Sequence, residues 1–220
     1  MSTSIKLKQL LAATLGACLA ACSSPDPVAY SGIASSSQLR PNKADDSARI
    51  PYRYATQVDW QTYNRIIVEP IAIYRGSDAQ FGDMSGEDRL ELASYMRTQF
   101  TDKLRRRFTI ATDPAPNTLR LKLTLTGATE NTPVVSTFTH LDLAGNLYNG
   151  IQSIRGREGM MSGSVTYAVE IYDASTNRLL SAFISKQYPN AMNVMASFGS
   201  LGAAKTGIEK GAEALVDYLK

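Results

Sequence analysis

The sequence predicts an α+β fold, a two-layer sandwich in which a mixed or antiparallel sheet of four to five strands carries two helices on one face. Two segments with strictly alternating apolar and polar residues, 119–126 and 164–171, predict amphipathic strands. Apolar residues at helical spacing within 93–108 and again within 201–219 predict the two helices. The predicted order of elements is strand, helix, strand, strand, hairpin, helix.

The first 21 residues have the composition of a secretory signal peptide. Lys6 and Lys8 precede 12 uncharged residues, Leu10 to Ala21, and a positive segment before a short apolar run is typical of export signals. The run is too short to span a bilayer, which needs about 20 apolar residues. We therefore expect this segment to be removed and not to remain as a membrane helix.

The apolar run ends in Leu19, Ala20, Ala21 and Cys22, and this tetrapeptide resembles the lipobox of bacterial lipoproteins. The resemblance implies that the first three residues serve signal recognition and that cleavage occurs before Cys22. It also implies that Cys22 receives a diacylglycerol and a further acyl chain such as palmitate. Two or three acyl chains make attachment to a membrane effectively permanent. Ser23 in the second position implies the outer membrane of a Gram-negative bacterium, with the domain facing the periplasm.

The alternative is a soluble secreted protein that is cleaved after Ala13 or Ala17 and carries an incidental Cys22. In the lipoprotein interpretation Cys18 leaves with the signal and Cys22 is acylated, so neither cysteine is left for a disulfide.

Charge also depends on the signal peptide. The whole chain has a formal charge of +3, with 23 basic and 20 acidic residues, and the loss of Lys6 and Lys8 brings it close to neutral. A nucleic-acid binder would be expected to carry a clustered basic surface. We therefore expect no nucleic-acid partner.

Residues 23–50 are rich in Ser, Pro, Asn and Asp and lack a sustained period, which predicts a flexible tether. A coil of about 28 residues spans roughly 30 Å on average. Tyr30 to Ile33 and Leu39 are the candidates for docking part of the tether onto the folded body. The predicted regions are thus a signal peptide (1–21), a lipidated cysteine and tether (22–50) and an α+β domain (51–220).

The domain begins with strand signals. Arg65 to Val68 and Ile71 to Tyr74 are β-rich segments on either side of Pro70, which indicates a bulge or a sheet edge. In residues 119–126 the leucines point one way and the Arg, Lys and Thr side chains the other, which predicts one covered face and one solvated face. Residues 164–171 repeat the pattern, and a turn at 173–177 leads into a returning strand at 179–185.

Helix signals flank these strands. Ser85 is the expected N-cap of the first helix, with acidic residues in the first turn. Arg105 to Arg107 lie in its last turn, where cations suit the helix dipole; contact with an anionic lipid or polymer is the other interpretation. Gly207 and Gly211 lie in the last helix, where each costs about 1 kcal/mol, so a close approach to the sheet is expected there.

Residues 58–74, Glu170 to Ala174 and the terminal helix resemble the DUF3313 family of bacterial lipoproteins, over roughly residues 30–220. The resemblance implies the fold, the lipid anchor and the compartment. It supplies no catalytic residues.

Catalytic and metal-binding patterns are not found. His140 is the only histidine, and a zinc site needs several His or Cys ligands. Glu87, Asp88 and Glu91 are explained by their place in the first turns of a helix. We therefore expect no enzyme activity, no metal and no cofactor.

Residues 130–163 form an apolar excursion that is long for a connection within a compact domain. The excursion either packs on the sheet or binds a partner, and residues 191–201 (AMNVMASFGSL) are similar. The leading hypothesis is a lipid-anchored envelope protein with a non-enzymatic role in protein binding or self-assembly. The alternative is a periplasmic carrier of lipid or another small apolar ligand, and the third hypothesis is a cell-wall hydrolase.

Overall fold

A computed structural model describes residues 25–45, 47–130, 163–189 and 199–220 of the protein. In these residues eight strands form one mixed sheet and two α-helices cover it. The strands are β1 (Arg40–Pro41), β2 (Tyr52–Ala55), β3 (Arg65–Val68), β4 (Ala72–Ile73), β5 (Thr109–Ile110), β6 (Thr118–Thr129), β7 (Ser164–Asp173) and β8 (Leu179–Gln187). The helices are α1 (Gly86–Leu104) and α2 (Gly202–Tyr218), and Trp60–Thr62 form a 3₁₀ turn.

The strand order is β1-β2-β8-β7-β6-β3-β5, and β4 also pairs with β6 beyond the end of β3. The contacts of β3 with β5 and of β3 and β4 with β6 are parallel, and the other pairs are antiparallel. The class is α+β, but the predicted sandwich with a sheet of four to five strands is wrong. Strands β1, β2, β4 and β5 have only two to four residues, too few for a period of two to identify them.

Helix α1 begins where its capping signals predicted. The Ser85 side chain accepts a hydrogen bond of 3.0 Å from the backbone N–H of Asp88, which satisfies one of the free donors of the first turn. Met96, Phe100 and Leu104 are fully buried against the sheet. The predicted apolar face is therefore confirmed.

Helix α2 lies beside α1 and runs parallel to it. Lys205 of α2 pairs with Glu91 at 2.6 Å, and further along both helices Glu213 pairs with Lys103 at 2.5 Å. On the sheet side, a Cβ added to Gly211 would lie 1.8 Å from the hydroxyl oxygen of Tyr167. The expected close approach of this helix to the sheet is confirmed.

The main core lies between the sheet and both helices. Leu119, Leu121, Leu123 and Leu125 of β6 are fully buried in it. The prediction that the opposite face of the sheet is solvated is wrong. Thr126 and Glu170 on that face are fully buried, and the N-terminal segment covers them.

Candidate functional site

Residues 29–39, here called the N-terminal strap, pack on the face of the sheet opposite the helices. Tyr30, Ile33 and Leu39 are only 1%, 6% and 5% exposed. They form a second apolar cluster together with residues of the sheet and its loops, namely Tyr74, Ala168, Ala182 and Ile184. The docking candidates within the predicted tether are thus buried in the domain.

Polar contacts fix the start of the strap. The Asp78 carboxylate accepts hydrogen bonds from the Tyr74 hydroxyl at 2.7 Å and from the backbone N–H of Ser31 at 2.9 Å. These two donors lower the pKa of Asp78. The Tyr74 hydroxyl also accepts a hydrogen bond from the N–H of Gly32 at 2.9 Å. One carboxylate and one phenol therefore fix two successive backbone groups of the strap.

Tyr30 connects the strap to the sheet. Its ring meets that of Tyr74 edge-on, with centroids 5.5 Å apart, and its hydroxyl donates to the side-chain oxygen of Gln80 at 2.6 Å. Burial raises the pKa of Tyr30 to about 12, an effect that the neighbouring Thr126 hydroxyl only partly offsets. Gln80 in turn donates to the backbone oxygen of Asp26 at 2.8 Å, so the chain is held in place from its first described residues.

Glu170 is a buried carboxylate beneath the strap. Its Oε1 accepts hydrogen bonds from the backbone N–H of Ser35 at 2.8 Å and from the Tyr172 hydroxyl at 3.2 Å. Its Oε2 lies 3.2 Å from the ammonium of Lys122, and the two side chains are 1% and 32% exposed. Burial, followed by the charge of Glu170, raises the pKa of Tyr172 to about 12. The carboxylate thus joins the strap to two neighbouring strands.

Arg120 extends this polar network along β6. Its guanidinium donates to Glu69 at 2.5 Å and to the side-chain oxygen of Asn177. It also lies over the ring of Tyr172, 4.4 Å from the centroid. The alternation of this strand predicts Arg120 and Lys122 on its polar face. Their neighbours across the sheet, Tyr172 and Glu170, could not be predicted, because they depend on the register of β6 and β7.

A cavity of about 70 Å³ lies between α2 and strands β7 and β8. Its lining includes Phe100, Tyr167, Phe183, Gln187, Leu215 and Tyr218. Burial raises the pKa of Tyr167 to about 12, and the hydroxyl of Ser185 partly offsets the effect. The cavity is much smaller than the 300 Å³ or more of an ordinary small-molecule site.

The cation cluster after α1 has a structural use. The Arg107 guanidinium donates to three backbone oxygens, those of Trp60 at 2.8 Å, Leu219 at 3.2 Å and Tyr63 at 3.3 Å. Arg105 pairs with Asp102 at 2.8 Å on the surface. For these two residues the contacts favour the structural interpretation over contact with an anion.

The carboxylates at the start of α1 are used in the same way. Asp88 accepts a hydrogen bond from the Ser85 hydroxyl at 2.6 Å, and Glu91 pairs with Lys205. No group of three or more His, Cys, Asp or Glu side chains in the described ranges is placed to hold a metal ion. No helix within those ranges is both long and apolar enough to cross a membrane.

Several residues singled out from the sequence lie outside the described residues. They are Leu19, Ala20, Ala21 and Cys22, His140, residues 131–162 of the excursion and residues 191–198. Lipidation and partner binding by the excursion therefore stay predictions. The strap contacts, in contrast, were missed because Glu170, Asp78 and Gln80 lie far along the chain from the residues that they hold.

The fold and the site define an α+β domain that folds its own N-terminal segment onto the second face of its sheet. The chain belongs to the DUF3313 family, described as "Protein of unknown function (DUF3313)", whose model matches residues 29–215. The predicted family is confirmed. The match begins at the first residue of the strap.

The chain is also similar to several solved structures, each at low sequence identity. No curated protein matches the chain. The PelC dodecamer from Paraburkholderia phytofirmans is similar with a TM-score of 0.36 at 12% identity, over 74% of this chain and 94% of that one. The hypothetical protein CT253 from Chlamydia trachomatis has a TM-score of 0.37 at 10% identity, over 71% and 98%. A putative neuraminyllactose-binding hemagglutinin homolog from Helicobacter pylori has a TM-score of 0.32 at 11% identity, over 76% and 86%.

Proposed function

We propose that this protein is a lipid-anchored lipoprotein of the outer membrane that faces the periplasm and has a non-enzymatic role in binding another protein or in self-assembly. The observation that carries the anchor is the tetrapeptide of residues 19–22 at the end of a signal-like apolar run. Acyl chains on Cys22 would attach the domain to the membrane permanently.

The use of the polar groups supports a non-enzymatic role. Asp78 and Glu170 are the carboxylates at the centre of the candidate site, and both accept hydrogen bonds from the strap backbone. Tyr74 and Tyr172 donate to these same carboxylates. Groups engaged in this way stabilise the fold and are not free to activate a substrate.

The anchor is tested by metabolic labelling with an alkyne analogue of palmitate in a Gram-negative host. We expect the wild-type chain and the matched control Cys18→Ala to be labelled, because Cys18 is removed with the signal. We expect Cys22→Ala to be unlabelled and to leave the membrane fraction. Labelling of Cys22→Ala, or no labelling of the wild type, would contradict the proposal.

Partner binding is tested by pull-down from crosslinked envelopes, with the native lipoprotein beside a soluble exported Cys22→Ala form. A single partner recovered with both forms and lost when residues 131–162 are deleted would support a binding module that uses the excursion. Recovery of only the protein itself, dependent on the lipid, would support self-assembly at the membrane. If neither form recovers a partner or itself, the binding role is wrong.

A carrier of lipid or another small apolar ligand is the second candidate, favoured by the apolar lining of the cavity beside α2. Its volume of about 70 Å³ is far below that of an ordinary ligand site, so we place it second. Native mass spectrometry of the soluble form tests it: a co-purifying lipid supports a carrier, and an empty protein contradicts it.

A further inference from the structure

The chain enters the described fold at one end of the sheet. Pro25 lines a surface cleft of about 400 Å³ together with Gln80, Asp83 and Glu130. The same end carries the last residue of β6, Thr129, and its pairing partner Ser164 at the start of β7. We call this the entry end of the sheet, and the hairpin turn at residues 173–178 lies at the other end.

Chain length relates the entry end to the anchor. Cys22 is three residues before Pro25, and three residues span at most about 11 Å. We infer that the entry end faces the bilayer and that the 173–178 turn points away from it; this inference rests on the proposed lipid anchor. From Ser164 to Asp173 the strand extends about 30 Å at 3.3 Å per residue. The distances of the two ends from the bilayer can therefore differ by up to about that length.

The exposed carboxylates at the entry end disfavour adsorption on an anionic bilayer as the cause of this orientation. Asp26, Asp83 and Glu130 are exposed there, and anionic headgroups repel carboxylates within the Debye length of about 8 Å at physiological salt. The covalent anchor and the docked strap must then hold this end near the membrane. A domain without acyl chains should not bind anionic vesicles.

The strap is what gives the orientation. If residues 29–39 were released, the free chain would run from Cys22 to the start of β1 at Arg40, and a coil of about 18 residues spans roughly 23 Å on average. Such a linker would let either end of the sheet approach the bilayer. The contacts that hold the strap, among them those of Asp78 with Tyr74 and Ser31 and of Glu170 with Ser35, therefore limit the domain to one orientation.

The test uses the mature lipoprotein in vesicles of phosphatidylethanolamine and phosphatidylglycerol with a headgroup-attached nitroxide quencher. Asp83→Cys and Ser175→Cys place one fluorescent label at the entry end and one on the opposite turn, both at exposed positions. In the lipoprotein, Cys22 is acylated and Cys18 is absent, so the introduced thiol alone is labelled. We expect several-fold stronger quenching at position 83 than at position 175.

Two controls separate the possible failures. Flotation of the vesicles reports the anchor: a protein that does not float contradicts the proposed function, and the orientation falls with it. A protein that floats with equal quenching at both positions, or with stronger quenching at 175, overturns the orientation alone. Glu130→Cys and Thr176→Cys repeat the comparison if either first variant fails to fold. With Asp78→Ala added, we expect the difference between the ends to shrink.

Discussion

Removal of Lys122 and removal of Glu170, the two partners of the ion pair beneath the strap, should destabilise the fold by very different amounts. Glu170 is 1% exposed and Lys122 is 32% exposed, with 3.2 Å between ammonium and carboxylate. Lys122→Met leaves a buried carboxylate without its cation, and breaking a buried pair in this way costs about 3 kcal/mol, the low end of the range. Glu170→Gln instead leaves an amide that still accepts from Ser35, while Lys122 turns into solvent, at a cost of about 1 kcal/mol.

Urea denaturation of the soluble Cys22→Ala form measures both free energies of unfolding. We expect Lys122→Met to be the less stable variant by about 2 kcal/mol, which for a chain of this size corresponds to about 4–8 °C in the melting temperature. The double variant carries no charge at the pair, so it should be more stable than Lys122→Met alone.

Lys205 provides the matched control. It is 35% exposed, close to the value for Lys122, but its partner Glu91 is 50% exposed. Lys205→Met should therefore cost less than about 1 kcal/mol. Equal losses for Lys122→Met and Glu170→Gln, or a double variant as unstable as Lys122→Met, would refute the argument from unequal burial.

Three further predictions concern packing, pH and a partly buried cation. Gly211→Ala should lower the free energy of unfolding in urea by about 1–2 kcal/mol, because its Cβ would meet Tyr167 and overpacking outweighs the gain in helix propensity. The control Gly86→Ala, which has open space around it, should leave the free energy of unfolding unchanged. Burial raises the pKa of Asp173, but hydrogen bonds from residues 175–176 and from Tyr63 lower this pKa overall. The ionised carboxylate therefore stabilises the fold above a pH of about 4, and this contribution is lost as the pH falls below that value. Asp173→Asn should flatten the acid limb of a pH–stability curve. Arg107→Lys should cost about 1–3 kcal/mol in the same urea assay, because an ammonium cannot reproduce the fork that reaches three carbonyl oxygens.

The elements that the sequence predicted well are those whose signal is local. The cap at Ser85 and the apolar spacing of α1 depend on residues within a few turns of each other. The alternation of β6 predicted its buried leucines for the same reason. The close approach of Gly211 to the sheet was predicted from the cost of glycine in a helix, although Tyr167 could not be named as its neighbour.

The second face of the sheet could not be predicted because alternation shows that a strand has two chemically different faces, not that one of them is wet. The polar positions of β6 and β7 include Thr124, Thr126 and Thr166, which are all buried. Ala168 and Ala182 on the same face are small enough for another segment to lie against them. These small side chains were the available signal, and only the register of the strands brings them together.

The strap also changes what a tether of this composition does. Residues 29–39 lack a sustained period, yet their buried apolar side chains join one cluster with the sheet, in which Tyr30 meets Tyr74 and also donates to Gln80. With the strap docked, the chain between the proposed anchor at Cys22 and Pro25 reaches about 11 Å, and not the roughly 30 Å average of a free tether. A partner of this domain that stays clear of the membrane surface would then have to bind away from the entry end, on the helices, the sheet edges or the 173–178 turn.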